Sequence, residues 1–296
     1  MFENILGNDS LKNMLKQTII SRQISHSYLM IGIPGIGKKM IAYQYAKTVL
    51  CLGENKICDT CKSCMEFDTN NHPDFLCIES DGNSIKIEQI RELQKRIQEK
   101  PIISNKKVYI IDNADLMTKE AQNCLLKTLE EPPEFAIIIL IGSNEHAFLT
   151  TIKSRCMILH FNPIEDKDIR KYLQQNYGMQ DISQNILDIA QGSIGKAIYL
   201  KDKQEQYIQL ETFINNLANK DLIDIYKSAE ILYKSKEEIN EMLDYINIIL
   251  LKMAKTNYLY TNCITIVETT KKRLQQNANY DMCIDNMLFN IWEEVN

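Results

Sequence analysis

The stretch Gly32-Ile33-Pro34-Gly35-Ile36-Gly37-Lys38-Lys39 constrains the fold more than any other part of the chain. An apolar run, Tyr28-Leu29-Met30-Ile31, precedes it, and Met40-Ile41-Ala42-Tyr43-Gln44-Tyr45-Ala46 follows with the composition of a helix. Strand, glycine loop and helix, in that order, form the setting of a phosphate-binding loop. Glycines let consecutive backbone N–H groups converge on phosphate, and the helix N-terminus adds partial positive charge. Lys38 holds the place from which an ammonium reaches terminal phosphates. The next position calls for a Ser or Thr hydroxyl to ligate magnesium, and Lys39 has no oxygen to offer. The motif predicts a loop that holds phosphate and is poorly equipped to hydrolyse it; a glycine-rich turn without a ligand is the alternative.

Apolar runs alternate with helical periods on either side of the loop. Leu11, Leu15 and Ile19 mark a helix before it, and Asp74–Ile78, Val108–Asp112, Ala136–Ile141 and Met157–Phe161 read as strands after it. Ile90, Leu93 and Ile97 mark one intervening helix, with Ser84 in the place of an N-cap and Pro101 as its stop. Lys119 to Leu129 forms another, ended by Pro132-Pro133. Ala136–Ile141 is apolar throughout, as a strand covered on both faces of a parallel sheet must be. The fold class is α/β, a parallel sheet with helices on both sides. From Pro163 onward only helical periods occur. Ile169 and Leu173, then Ile186, Leu187 and Ala190 with Ser183 as cap, suggest two short helices before Gly192-Ser193-Ile194-Gly195 interrupts the chain and Lys196 to Lys201 resumes it. Longer stripes follow at Tyr207, Leu210, Ile214 and Leu217, at Ile239, Leu243, Ile246, Leu250 and Met253, and at Ile284, Leu288 and Ile291. The expected domains are residues 1–162 (α/β, with a cysteine-bearing insert at about 51–64), 163–203 (small, helical) and 204–296 (helical).

Asp112 ends an apolar strand, where a carboxylate helps hold the magnesium shell of a bound nucleotide. The following position, which in hydrolysing proteins of this architecture carries a Glu to polarise water, is Asn113, an amide that cannot take up a proton. Asp115, three residues on, is a candidate substitute, but its different position in the following loop is expected to aim it elsewhere. A net charge of −5 argues against a protein that coats nucleic acid through bulk charge, while leaving room for a local basic patch. No run has the length of a membrane span, and Met1-Phe2-Glu3-Asn4-Ile5 lacks the basic-then-apolar pattern of a signal peptide, so a cytoplasmic protein is expected.

In a reducing compartment the nine cysteines are not expected to form structural disulfides. Cys51, Cys58, Cys61 and Cys64 cluster in a polar insert too poor in apolar residues to fold by packing alone. Four thiolates at this spacing fit a closed, structural zinc site; a redox pair formed by Cys61 and Cys64 is the alternative. Cys77, Cys124, Cys156, Cys263 and Cys283 fall on apolar runs and read as core.

Taken together, Phe2-x-x-Ile5-x-Gly7, His26-Ser27-Tyr28-Leu29, the phosphate loop and the four-cysteine insert resemble the clamp-loader branch of the AAA+ family, and within it the delta-prime group. His72-Pro73-Asp74, the stretch from Asn123 to Pro133 and Ser154-Arg155-Cys156 complete the match, which covers residues 1 to about 200 well and the rest by type and length. The resemblance implies a hetero-pentamer with gamma/tau-type and delta-type subunits that opens a sliding clamp and places it on primer–template DNA, using ATP held between neighbours. It implies a lid domain over 163–203 and a collar over 204–296. It also implies that Arg155 is an arginine finger reaching a neighbour's ATP site, and that Ser143 stands where the family senses γ-phosphate. Motor subunits of this family keep the Ser/Thr, the Glu and a lid arginine where this chain has Lys39, Asn113 and Gly195, with Lys196 one place late. The expected function is a non-catalytic subunit with weak or absent ATP/ADP binding and structural zinc; an ATP-hydrolysing gamma/tau-type motor is the alternative. A zinc-dependent nucleic-acid-binding regulator is a third reading, disfavoured by the acidic balance.

Overall fold

A computed structural model describes residues 1–296 apart from 54–57, 83, 180–181 and 220, so part of the insert expected over 51–64 lies outside the described residues. Two compact units emerge: Met1–Asp168 with Ser193–Gly195, and Ile169–Gly192 with Lys196–Asn296.

The first unit holds α1 (Asp9–Ile20), β1 (Ser27–Ile31), α2 (Lys38–Leu50), α3 (Lys62–Asp68), β2 (Phe75–Ile78), α4 (Ile87–Ile97), β3 (Lys107–Ile111), α5 (Lys119–Glu130), β4 (Ala136–Gly142), α6 (Thr150–Lys153) and β5 (Met157–His160). All strands run parallel in the order β2-β3-β4-β1-β5. The expected α/β fold is therefore the one adopted. Parallel strands bring the loops after β1, β3 and β4 to one edge of the sheet, where ligands bind in open α/β sheets.

Every residue of β1, β3 and β4 is buried, which explains their unbroken apolar sequences. On one face Leu29, Ile31, Tyr109, Ile111, Ile138 and Leu140 join a cluster with Ile90, Leu93 and Ile97 of α4 and Leu125 and Leu129 of α5. Alternation turns Tyr28, Met30, Val108 and Ile110 to the other face, where Tyr28 meets Tyr45 of α2 edge to face and shares a 2.8 Å hydroxyl contact. Ser84 is not the N-cap of α4. The backbone stays extended through Ile85, which bridges to Met117, so the helix opens only after Lys86, whose N–H donates to Gln89 Oε1 at 3.1 Å.

The remaining helices are α7 (Asp166–Tyr177), α8 (Gln184–Ala190), α9 (Ile194–Leu200), α10 (Gln204–Asn215), α11 (Leu222–Ser228), α12 (Glu230–Lys234), α13 (Ile239–Ala254), α14 (Tyr260–Gln275) and α15 (Tyr280–Val295). Tyr207, Leu210, Ile214 and Leu217 are buried, as are Leu243, Ile246 and Leu250 of α13 and Ile284, Leu288 and Ile291 of α15. Helix α14 contacts both α13 and α15, yet its buried face is Cys263, Val267 and Thr270, too polar to stand out as an apolar stripe. Ser183 does precede α8, but its hydroxyl makes no capping bond. Among the described residues no helix is long and apolar enough to cross a membrane.

Candidate functional site

The phosphate loop joins β1 to α2, and Gly37 sits at the cap of α2 with φ of 100°, a conformation side chains avoid. Lys38 is buried and folds over the loop, donating to the carbonyls of Gly32 at 2.5 Å and Ile33 at 2.9 Å. Burial holds the Lys38 pKa below that of an ordinary lysine, and the negative charges of Asp115 and Asp112 only partly offset it. Among the described residues the N–H groups of Gly35, Ile36 and Gly37 donate to no protein acceptor. The loop's carbonyls are engaged instead: Ser193 Oγ donates to Pro34 O at 2.8 Å and Gly195 N to Gly35 O at 2.9 Å. A Cβ at position 195 would stand 3.0 Å from Gly35 Cα and 3.0 Å from its oxygen, so any side chain there would have to displace the loop.

Lys39 does not point idly into solvent. Its Nζ lies 2.9 Å from Asp112 Oδ2 and 2.5 Å from Glu79 Oε1, joining carboxylates that follow β3 and β2. Burial alone would lower the Lys39 pKa, but the hydrogen bonds to Glu79 and Asp112 outweigh it and keep the ammonium charged beyond an ordinary lysine. Asp112 Oδ1 in turn accepts the Asn113 N–H at 3.1 Å, so each carboxylate oxygen has a partner. Asn113 has φ 51° and ψ 45°, a left-handed conformation that Asn tolerates better than Glu. Asp115 accepts the backbone N–H groups of Ser143 and Asn144 at 3.1 Å each, bracing the turn after β4. The sequence expectation that it is aimed elsewhere holds only in part: Oδ2 serves the turn after β4, while the carboxylate's charge still acts on Lys38.

Arg155 takes no part in this cluster. It follows α6, and the segment leading into that helix is tied to α5 by Gln122, whose amide donates to Ala147 O at 2.9 Å and accepts Leu149 N–H at 2.9 Å. Thr118 Oγ1 caps α5 through the Ala121 N–H, fixing the start of that helix. The Arg155 guanidinium, about one-third exposed at 33%, pairs with Glu130 at 2.8 Å and donates to Thr151 O at 2.9 Å. His26, Leu129, Glu130, Ser154 and Arg155 line a surface groove there.

The third site is the cysteine cluster. Sulfurs at about 2.3 Å from a tetrahedral zinc lie about 3.8 Å apart. Cys51 Sγ is 3.6 Å from Cys58 Sγ and 3.9 Å from Cys61 Sγ, and all four sulfurs fall within 4.8 Å of one another. The donor set therefore fits a single ion, and four cysteines stand close enough to hold a metal. Backbone N–H groups of Gly53, Cys61 and Cys64 donate to the sulfurs of Cys51, Cys58 and Cys61 at 3.3, 3.3 and 3.4 Å. Such bonds favour thiolate, and N–H groups of Thr60 and Cys61 lower the Cys58 thiol to about 6.

A buried polar latch fastens this cluster to the sheet. Ser63, between the last two cysteines, donates to Leu50 O at 2.7 Å and meets His72 Nε2 at 2.8 Å. His72 Nδ1 accepts the Asp74 N–H at 3.0 Å, while the Asp74 carboxylate receives the N–H groups of Ile102, Ile103 and Ser104 at 2.7 to 2.8 Å. Burial holds the His72 pKa below the ordinary value against the pull of Asp74 and Glu66, so the ring is neutral, as an acceptor at Nδ1 must be.

Comparison with known proteins decides the family. The family model described as "DNA polymerase III, delta subunit" matches residues 7–165, more than half of the chain. The chain belongs to that family. It is 40% identical over 171 residues to DNA polymerase III subunit delta' of Bacillus subtilis, 57% of this chain and 51% of that protein. To DNA polymerase III subunit tau/gamma of Haemophilus influenzae it is 30% identical over 251 residues, 82% of this chain and 36% of that protein. The chain thus spans about half or less of these curated relatives. A crystal structure of a DNA polymerase III gamma subunit-related protein from Thermotoga maritima shares the fold, with a TM-score of 0.54 at 17% identity over 95% of this chain and 99% of that one. The expected resemblance to the delta-prime group is borne out.

Of the residues singled out in the sequence, Gly32, Gly35, Gly37, Lys38, Lys39, Asp112 and Asn113 gather at one edge of the sheet, with Ser143 tied in through Asp115. Cys51, Cys58, Cys61 and Cys64 form a separate cluster, and Arg155 a third location. Sequence reasoning missed Glu79, Glu130 and the Ser63–His72–Ser104 latch. Glu79 was recoverable as a carboxylate ending an apolar strand, the same signal that identified Asp112.

Proposed function

We propose that the chain is a delta-prime-type, non-catalytic subunit of a replicative clamp loader that lends Arg155 to a neighbouring subunit's ATP site. One observation carries the reading: the ammonium of Lys39, in the place of the magnesium-binding hydroxyl, pairs with the strand-end carboxylate Asp112. Asp112 serves Lys39 and the Asn113 N–H, Glu79 serves Lys39, and Asp115 serves two backbone N–H groups. Asn113 cannot act as a base in their place. Asn113 thus stands where a hydrolysing loop carries the carboxylate that aligns and deprotonates water. The higher identity to a delta' protein than to a tau/gamma protein supports the same choice.

Arg155 suits a role in trans because its guanidinium is permanently charged, forked and partly exposed. In this reading the partners are gamma/tau-type and delta-type subunits in a pentamer, with the sliding clamp and primer–template DNA engaged by the whole assembly in the cytoplasm. Residues 163–203 act as a lid and 204–296 as a collar that braces the ring. The cysteine cluster carries structural zinc, all four ligands being protein sulfurs with no position left for water.

The test is Arg155→Ala in the reconstituted loader. Assembly should survive, and DNA-stimulated ATPase of the complex should fall by about 10³-fold or more if the arginine acts as such fingers do. An unchanged rate in an assembled complex would rule the role out. Turnover of MgATP by the isolated chain, abolished by Lys38→Ala, would instead support the motor reading.

A further inference from the structure

A nucleotide site in this fold ordinarily owes part of its phosphate affinity to a divalent ion held between a loop hydroxyl and a strand-end carboxylate. The residues present do not fit that ion. Lys39 supplies no oxygen, and its ammonium bonds the very carboxylate, Asp112, that would anchor the metal's water shell. Glu79 closes the other side of the same ammonium. The other oxygen of Asp112 accepts the Asn113 N–H, so a metal would share this carboxylate with two donors, one of them a cation.

Charge accounting points the same way. With a neutral residue at position 39, Asp112 and Glu79 would leave this edge with net negative charge beside Lys38, and a dication would be welcome. With Lys39 in place, the ammonium groups of Lys38 and Lys39 stand among Asp112, Glu79 and Asp115, and a dication approaching Asp112 would meet repulsion from a fixed cation 2.9 Å from that carboxylate. The anion-binding parts of the loop are nonetheless present. Gly35, Ile36 and Gly37 carry N–H groups without a protein acceptor among the described residues, at the start of the thirteen-residue helix α2.

We propose that the Lys39 ammonium is a resident substitute for magnesium, so that this loop takes the phosphates of a nucleoside diphosphate or triphosphate without a divalent ion. The inference rests on the reading of this loop as a disabled nucleotide site. It adds the reason for the silence: the cation is part of the chain and cannot bring an activated water with it. Any nucleotide held here would brace the loop instead of turning over.

The experiment titrates the isolated full chain with ADP by calorimetry, once in excess magnesium and once in EDTA, for the wild type and for Lys39→Thr. The wild type should bind ADP with the same affinity, within about twofold, in both buffers, and Lys39→Thr should bind on the order of tenfold more tightly with magnesium than without. Adding Asp112→Asn to Lys39→Thr should abolish that response. A wild type whose ADP affinity rises tenfold with magnesium, or that binds ADP in neither buffer, would overturn the proposal even if the variant does not fold. A parallel assay of phosphate release keeps the two readings apart. Metal-independent binding with ATP turnover would sink the non-catalytic function, and metal-dependent binding without turnover would sink only the role of Lys39.

Discussion

The cysteine cluster and the phosphate loop handle positive charge in opposite ways. At the cysteines the chain brings four soft donors within 4.8 Å of one another, and among the described residues backbone N–H groups donate to three of the sulfurs. At the loop the chain supplies the cation itself, and Lys39 settles the charge of Asp112 and Glu79. The difference teaches that a metal site is read from unbalanced charge as much as from ligand types. Asp112 alone looks like a magnesium residue; Asp112 with Lys39 is a closed ion pair.

The largest expected effect breaks the comparison on the cysteine side. Removing zinc, or substituting Cys58→Ser, takes away a closing interaction of the kind that contributes on the order of 10 kcal/mol to small zinc modules. Amide hydrogen exchange should then rise sharply through 58–69 while β3 and β4 stay protected. Protection that survives chelation would mean the insert folds without metal and the contrast is false.

Next comes the latch that fastens the cysteine cluster to the sheet. His72→Ala leaves Ser63 and the Asp74 N–H short of a buried partner and should cost about 2–3 kcal/mol. A drop in Tm of several degrees is the readout, with magnesium making no difference. Because the folded-state pKa of His72 is depressed, its contribution is fully present above the unfolded value of about 6.5 and is lost as pH falls from there towards the folded value. His72→Asn should flatten the stability profile in that window. A slope identical to wild type would assign the acid sensitivity to another group.

Smaller still is the effect of Lys39→Thr on the chain without nucleotide, about 1 kcal/mol or less once solvent screening of a half-exposed pair is allowed for. Its value lies in sharpening the comparison. The variant should gain thermal stability on addition of magnesium, as a ligand that binds only the folded state requires, while the wild type should not. Glu130→Gln should change stability least, well under 1 kcal/mol, because its pair with Arg155 is solvent-exposed. A larger loss, measured by denaturant unfolding, would make Arg155 a structural residue.

Much of the architecture could be read from local pattern. The strands announced themselves because both faces are covered, which forces unbroken apolar runs such as Ala136–Ile141. The loop and the cysteines were legible because phosphate and metal demand fixed residue types at short spacing. What could not be read depends on contacts between distant positions. Lys39 and Glu79 are forty residues apart and meet only when β1 and β2 lie in one sheet. Local propensity favours Ser84 as a cap because it cannot see the bridge between Ile85 and Met117. Helix α14 escaped because Cys263 and Thr270 fill a buried face with small polar residues that carry no apolar period.

The account turns on which cation each region accepts, and a single native mass measurement of the isolated chain, equilibrated with zinc, magnesium and ATP, addresses both at once. The account predicts a species carrying one zinc and no magnesium, with or without nucleotide. A species in which magnesium accompanies nucleotide stoichiometrically, or one that carries no zinc, would contradict it.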